Sequence, residues 1–269
     1  MIIQDTNKSS QQIFLNSKHA TTTAQTGSSC RFHLQDLTAP DNTQIIVSVV
    51  DVIVPVSYYV INGGNNRLYY SDDGGSEYLL TIPVGNYNAQ ELANHLESFI
   101  HVLSSVSYSL IDNKMRFFSN TATFTFHGKS TCFDLLGLTA NEEHPAQDNG
   151  MGIHVIVATS SVDLSGYHSV HVHSNIATTS LNSSSGSMRT LCRVPITAPR
   201  NSIVCYTPTA PIQTILNSKS IDFVDISLTD SDIRPIDFNG LTWSITLRVD
   251  YQFVKEDSRQ PTSRRFDRI

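Results

Sequence analysis

LTWSITLRVDYQF, residues 241–253, is the stretch of sequence that decides the fold class. Apolar residues occupy every second position of this stretch, and the positions between them are polar, including Arg248 and Asp250. A period of two predicts a β-strand with one face on a core, so the single tryptophan, Trp243, is predicted to be a core residue. Thirteen residues at roughly 3.3 Å each would span about 40 Å, far beyond the usual five or six residues. Such a strand needs a long partner sheet.

Other segments extend the β assignment along the chain. Residues 30–35 and 221–228 alternate in the same way, whereas residues 43–54 are apolar on both faces and end at Pro55, which indicates a strand covered on both sides. Eight or nine strands with almost no helix lie outside residues 78–140. This pattern predicts a mainly β protein, a single jelly-roll β-sandwich of two four-stranded antiparallel sheets.

One segment breaks the β pattern. Asn88 precedes a run with apolar residues at helical spacing, and Asp112-Asn113 joins two short strands into a hairpin. We therefore predict an α+β insertion at residues 78–140. The full division predicts an N-terminal arm at 1–27, the jelly-roll domain at 28–77 and 141–254, the insertion at 78–140 and a C-terminal tail at 255–269.

Composition indicates a protein that packs against other proteins. Hydrophobic residues make up 39% of the chain, charged residues only 16%, and 59 of the 269 residues are serine or threonine. The net charge of −6 argues against a nucleic-acid coat, which needs clustered cations to neutralise phosphates. The tail after Val254 differs, with a side-chain charge of +2. We expect no nucleic-acid partner for the body of the protein.

The four cysteines, Cys30, Cys132, Cys192 and Cys205, lie far apart and form no C-x-x-C pair. This spacing favours free, mostly buried thiols over a zinc site or a disulfide framework. The longest apolar runs fall short of the roughly 18 residues that a membrane helix needs, and the first residues lack the features of a secretion signal. We expect no membrane span.

A histidine cluster is the strongest candidate for chemistry. His171 and His173 are two residues apart, so on a strand they point to one face and could share a metal, with His154 completing the site from another strand. In a jelly roll this would be a cupin site, but cupins follow their His-x-His with a glutamate, and residues 174–178 supply none. The sequence favours histidines on a polar strand face or at a subunit contact.

The remaining candidates fail on their spacing. Asp230 and Asp232 start like a calcium loop, but Arg234 and Pro235 occupy the following ligand and turn positions, so turn-forming aspartates are favoured. The sequence contains no Gly-x-Ser-x-Gly motif, which would mark a nucleophilic serine. No Lys-Ser or Lys-Thr pair directly follows Gly63-Gly64 or Gly74-Gly75, as a phosphate-binding P-loop would require. We predict no enzyme activity, no catalytic, cofactor-binding or metal-binding residues, and no cofactor.

Blocks of sequence resemble a known family. The order of these blocks spans most of residues 14–253: FLNS at 14–17, IVPVSYYVIN at 53–62, NNRL at 65–68, LTIPVGNY at 80–87, SNI at 174–176, IDFVDISLTD at 221–230 and PIDFNGLTW at 235–243. In this order and spacing the chain resembles the penton, or minor capsid, proteins of virophages and Polinton-like viruses.

This resemblance implies a single jelly roll that forms a homopentamer at the five-fold vertices of an icosahedral DNA virus capsid. Its implied partners are further copies of itself, the double-jelly-roll major capsid protein and, beyond these, other minor capsid proteins or a vertex spike. The implied location is the virion. An alternative is a receptor- or carbohydrate-binding spike or fibre head, usually a trimer, that uses loops 62–77 and 178–187. A cupin-like metalloenzyme is a third reading.

Overall fold

A computed structural model of the protein describes residues 10–178, 180–183, 186–210 and 213–253. The predicted tail at 255–269 and the first nine residues of the predicted arm lie outside these ranges, as do parts of the loop at 178–187. The chain divides into two compact units, one made of residues up to Tyr58 and from His168 onward, the other of Tyr59–Tyr167.

The strands and helices follow one another along the chain with short connections. The first unit opens with β1 Ser10–Asn16, a 3-10 turn Ser17–His19, β2 Thr22–Thr23, β3 Ser29–Thr38 and β4 Thr43–Pro55. The second unit contains β5 Arg67–Ser71, β6 Glu77–Thr81, α1 Ala89–Phe99, β7 Ser105–Ser109, β8 Lys114–Ser119, β9 Thr125–Phe126, α2 Phe133–Leu136, β10 His144–Pro145, β11 Gln147–Asp148 and β12 His154–Val157. The first unit resumes with β13 Ser169–Ser174, β14 Ser180–Ser183, β15 Gly186–Pro195, β16 Ile203–Tyr206, β17 Gln213–Leu216, β18 Ser220–Thr229 and β19 Ser244–Phe253.

The first unit is a jelly roll built from two antiparallel sheets. One sheet has the order β1-β19-β4-β16, with β17 also pairing with β4, and the other has the order β14-β15-β13-β18-β3-β2. β16 and β17 both pair with β4, so they count together as one strand position. Counted in this way, the eight main strands, numbered along the chain, lie in the orders 1-8-3-6 and 2-7-4-5, which is the double Greek key of a jelly roll. The predicted fold class is confirmed, with β2 and β14 as additional strands at the edges of one sheet.

Alternation places the core of the jelly roll between its two sheets. Ile245, Leu247 and Val249 of β19 are fully buried, as the period of two predicts. The ring of Trp243 meets Phe32 of β3 edge to face, with centroids 6.1 Å apart, and its Nε1 donates to the carbonyl oxygen of Gly27 at 2.8 Å. Trp243 is therefore a core residue, and its one polar atom has a partner.

The last strand, β19, is shorter than the strand predicted at residues 241–253, because regular pairing begins only at Ser244. Its partner β1 ends at Asn16 and continues into the 3-10 turn, where the backbone N–H of Ser17 donates to the carbonyl oxygen of Trp243. Residues 10–16 of the predicted arm form β1, which pairs with β19 along its whole length. The first residues of β1 are polar and exposed, because little of this edge strand packs on the core. The sequence pattern therefore did not reveal it as a strand.

The second unit encloses its own core between two four-stranded sheets and α1. The sheets have the orders β10-β9-β5-β6 and β11-β12-β8-β7. As predicted, Asn88 caps α1: its side chain accepts from the backbone N–H of Glu91, whose carboxylate accepts from the N–H of Asn88. Leu92 and Leu96 of α1 are fully buried in an aromatic cluster around Phe117 and Phe126.

The structure moves the predicted boundaries of the insertion from 78–140 to 59–167. β5 lies before residue 78, but its Tyr70 and Ser71 pair with β9. β12 lies after residue 140, but it pairs with β8. Sequence spacing could not show this, because a short strand carries no mark of the sheet that it joins. No helix in the described ranges is long and apolar enough to cross a membrane.

Candidate functional site

The predicted histidine cluster lies on the outer face of the six-stranded sheet. Val170 and Val172 of β13 are fully buried in the sandwich core, so His171 and His173 point away from it. The two imidazole centroids are 6.2 Å apart. His154, the third predicted candidate, belongs to the second unit, where it pairs with Ser119 of β8.

Hydrogen bonds occupy both ring nitrogens of His173, which is only 5% exposed. Its Nε2 lies 2.9 Å from the hydroxyl oxygen of Thr229, and its Nδ1 lies 3.0 Å from that of Thr190. Because the Thr229 hydroxyl donates to the carbonyl oxygen of Asp230 at 3.0 Å, its oxygen accepts the hydrogen bond from the Nε2–H of His173. Neither nitrogen is left for a metal.

The surroundings of both histidines lower their pKa values, which favours the neutral imidazoles. Burial is the main cause that lowers the pKa of His173, the neighbouring His171 lowers it further, and a hydrogen bond to the backbone of Arg189 raises it. Burial also lowers the pKa of His171, reinforced by Arg193 and opposed by Asp230. Across the part of the chain that the structure describes, no three His, Cys, Asp or Glu side chains converge as a metal site would need.

The aspartates at the end of β18 form a turn. Asp230 is 2% exposed, and one of its carboxylate oxygens accepts from the backbone N–H groups of Asp232 and Arg234, both at 2.9 Å. The other oxygen accepts from Nε of Arg234 at 2.8 Å, and the same guanidinium binds Asp232. These aspartates form the turn that the sequence favoured, and the guanidinium of Arg234 pairs with both carboxylates.

The outer face of the five-stranded sheet is the candidate assembly surface. Strand pairing places Ile53 of β4 beside Cys205 of β16, and alternation places Phe14, Ile203 and Ile215 on the same side. We name these five residues the outer sheet face. Phe14 is 63% exposed, Ile203 62% and Ile215 48%, whereas their inward neighbours Leu15, Val204 and Thr214 are buried.

Polar groups between these apolar residues are already satisfied within the sheet. The Thr246 hydroxyl donates to the carboxylate of Asp51 at 3.1 Å, and Arg248 pairs with Asp250 at 3.0 Å. The outer face of an antiparallel sheet is normally polar and hydrated. A face that combines internally satisfied polar groups with large exposed apolar residues is suited to burial against another protein.

Sequence reasoning missed this face, although a signal was present. Ile203 and Cys205 alternate with Val204 and Tyr206, so both faces of β16 carry apolar residues. Only one face of an edge strand in a two-layer sandwich can reach the core, so the second apolar face predicts a further contact. The same reading applies to Phe14 beside Leu15 in β1.

The two predicted recognition loops differ in what the structure describes. Residues 62–77 are not one loop, because strand β5 occupies Arg67–Ser71 and β6 begins at Glu77. In the tight turn before β5, Asn62 Oδ1 accepts from the N–H of Gly64 at 2.9 Å and Asn65 Oδ1 accepts from the N–H of Asn62 at 2.7 Å. The amide side chain of Asn65 also donates to the carbonyl of Val60. Most of the side chains in residues 178–187 are not among those that the structure describes.

Of the comparisons with known proteins, the one with solved structures found a similarity. No family model matches the chain, and no curated protein matches it. Among solved structures, the crystal structure of the selenomethionine-labelled mavirus penton protein is similar, with a TM-score of 0.47 and 11% sequence identity. The alignment covers 91% of this chain and 100% of the mavirus chain.

Proposed function

We propose that this protein is a structural subunit of an icosahedral DNA virus capsid and forms the homopentamer at its vertices. The observation that carries the proposal is a complete jelly roll whose outer sheet face presents Phe14, Ile203 and Ile215 to solvent. Burying such residues is favourable, so a subunit that exposes several of them on one sheet gains stability from neighbours.

Jelly rolls serve viral capsids, lectins and cupins, so the fold alone leaves three classes. The threonine partners of His173 argue against a cupin, because they occupy the nitrogens that a metal would need. The exposed aliphatic residues Ile203 and Ile215 on the outer sheet face favour contact with protein over sugar binding, because they offer a sugar neither a hydrogen bond nor a stacking ring. The order of sequence blocks from 14 to 243 supports the vertex role, since it resembles penton proteins.

The proposed partners are other copies of this chain within the ring and the double-jelly-roll major capsid protein around it. Other minor capsid proteins or a vertex spike are further candidate partners. In this proposal the outer sheet face is covered in the assembled shell, and the protein acts in the virion without catalysis or a cofactor.

The mass of the purified protein in solution tests the proposal directly. Light scattering coupled to size exclusion should give five times the 29.8 kDa mass of one chain. A trimer would contradict the vertex role and favour the spike or fibre head.

Incorporation into particles provides the second test. The double substitution Ile203→Asp and Ile215→Asp places charge on the outer sheet face at exposed positions, so the fold should persist while incorporation falls at least tenfold. Leu79→Asp on β6 is the matched control, because Leu79 is similarly exposed but lies in the other unit. Equal incorporation of both variants would overturn the role of this face.

A further inference from the structure

The connection between β11 and β12 contains one of the three Asn-Gly pairs in the chain. The pairs are Asn62-Gly63, Asn149-Gly150 and Asn239-Gly240. In such a pair the backbone nitrogen of the glycine can attack the side-chain amide of the asparagine, because glycine has no Cβ to obstruct the approach. The attack closes a five-membered succinimide ring. Contacts to the amide and to the attacking nitrogen decide whether the fold speeds or slows this reaction.

A carboxylate contacts the attacking nitrogen of the Asn149-Gly150 pair. Asp148 Oδ1 accepts from the backbone N–H of Gly150 at 2.9 Å. This N–H loses its proton when its nitrogen bonds to the amide carbon, so the carboxylate is placed as a general base on the reacting atom. The same carboxylate oxygen accepts from the N–H of Gly152 at 3.2 Å, which helps to hold it in position.

Two backbone donors contact the oxygen of the amide that is attacked. Asn149 Oδ1 accepts from the N–H of Met151 at 2.9 Å and from that of Ile153 at 3.4 Å. Negative charge develops on this oxygen when the nitrogen adds to the amide carbon, and N–H groups aimed at such an oxygen stabilise that charge. The bond to Met151 also folds the side chain back over the Gly150 nitrogen, which keeps the amide near its attacker.

The Asn62-Gly63 pair has only one of these contacts. Asn62 Oδ1 accepts from the N–H of Gly64 at 2.9 Å. In the part of the chain that the structure describes, no carboxylate accepts from the N–H of Gly63, so the attacking nitrogen has no base. Asn62 is also partly buried, whereas residues 148–152 are exposed to the water that opens the ring.

The Asn239-Gly240 pair has a carboxylate in a different place. Asp237 Oδ1 accepts from the N–H of Asn239 itself at 2.8 Å, and not from the attacking nitrogen of Gly240. The Nδ2 of Asn239 donates to the carbonyl oxygen of Ser57, which restrains the group that must leave. Among the described residues, base and oxyanion donors therefore occur together at Asn149 alone of the three asparagines.

We propose that Asn149 is a self-modification site, at which the folded protein converts its own side-chain amide into aspartate and isoaspartate. The Gly150 nitrogen bonds to Cγ of Asn149 and gives its proton to Asp148. The bond from Cγ to Nδ2 then breaks, and the nitrogen leaves as ammonia with the proton that Asp148 returns. Water adds to either ring carbonyl and breaks its bond to the ring nitrogen. Each product carries one more negative charge, and isoaspartate lengthens the main chain just before β12.

Peptide mapping of the full chain tests the proposal. The folded protein and the same protein in urea are incubated in parallel at neutral pH, digested and analysed by mass spectrometry, which locates each converted asparagine. In the folded protein we expect conversion at Asn149 to be at least about tenfold faster than at Asn62 or Asn239, since a placed general base contributes this much or more. In urea the three rates should converge. A rate at Asn149 that is no faster in the folded protein than in urea would overturn the proposal.

The substitution Asp148→Asn tests the base. Its amide oxygen can still accept from the Gly150 N–H but cannot take the proton, so conversion at Asn149 should fall at least about fivefold. Asp237→Asn is the matched control and should leave conversion at Asn239 unchanged. Fragmentation of the peptide separates position 148 from Asn149, and circular dichroism shows that each variant is folded. An unchanged rate at Asn149 in Asp148→Asn would overturn the inference and leave the proposed capsid function standing, because that function is tested by mass.

Discussion

The two units of the molecule bury different chemistry. Of the buried polar residues in the described ranges, most lie in the jelly roll, among them His173, Thr190, Thr229 and Asp230. The second unit buries few polar side chains, and its largest fully buried residues are aromatic, namely Phe117, Phe124, Phe126 and Phe133. The jelly roll therefore adds specific buried hydrogen bonds to its apolar core, whereas the second unit depends almost entirely on the filling of an apolar core.

This difference has a physical origin in the strands. Long strands rich in serine and threonine cross the jelly roll, and hydroxyls next to the sheet can satisfy a buried histidine or a neighbouring carbonyl. The second unit has short strands, so bulky rings close its core, as where Phe117 meets Phe126 edge to face at 4.9 Å. Substitutions should affect the two units through different mechanisms.

The largest effect is expected from Phe117→Ala in the second unit. Phe117 is fully buried, so the substitution leaves a cavity and should lower the free energy of unfolding by about 3–5 kcal/mol. Phe118→Ala is the matched control, because its side chain points to the other face of β8 and should cost much less. Chemical denaturation followed by circular dichroism measures both. Equal losses for the two variants would show that this core is not tightly packed.

In the jelly roll, Asp230→Ala should lower the free energy of unfolding by about 2–3 kcal/mol, since a buried carboxylate with charged and backbone partners is lost. Asp232→Ala removes an exposed carboxylate that binds the same arginine and should cost less than about 1 kcal/mol. Thermal unfolding of both variants compares them. If the control were the more damaging, the turn would not depend on its buried carboxylate.

Acid should destabilise the jelly roll through His173. Its pKa in the folded protein lies below the unfolded value of about 6.5, so the folded state binds fewer protons than the unfolded state. Its contribution is full above pH 6.5 and is lost as the pH falls from there through the folded-state pKa. The free energy of unfolding of His173→Gln should therefore fall less between pH 7.5 and 5 than that of the unaltered protein.

The smallest effect is expected at the helix cap of the second unit. Asn88→Ala removes the side chain that accepts from Glu91 N–H, and should cost about 1 kcal/mol. Asn94→Ala, on the exposed surface of the same helix, should cost almost nothing. Urea denaturation resolves this difference. A neutral Asn88→Ala would mean that packing alone fixes the start of α1.

The sequence was most informative where one residue period runs through a whole element. Alternation in residues 244–253 and helical spacing after Asn88 were read correctly, because each pattern reports directly which side chains meet a core. The sequence did not show which sheet each short strand joins. Nothing in Arg67–Ser71 shows that it pairs with Thr125–Phe126, since that choice is made by contacts between distant segments.

The sequence did not reveal the exposed apolar surfaces for a related reason. A hydrophobic residue in a strand predicts burial, but Phe14, Ile203 and Ile111 are exposed because the layer that could cover them is not within the fold. The histidine cluster shows the opposite case. Spacing alone placed His171 and His173 on one face, and only the positions of Thr190 and Thr229 show that hydroxyls contact both ring nitrogens of His173.

The pairing of β1 with β19 constrains how the protein is made. Ser10 lies beside Asp250, so the sheet between them cannot be completed until the ribosome has released nearly all of the described chain. Contacts so distant in sequence form slowly, whereas residues 59–167 have their own core and can fold while translation continues. Until synthesis reaches β19, the apolar residues of β4 lack their main partner strand.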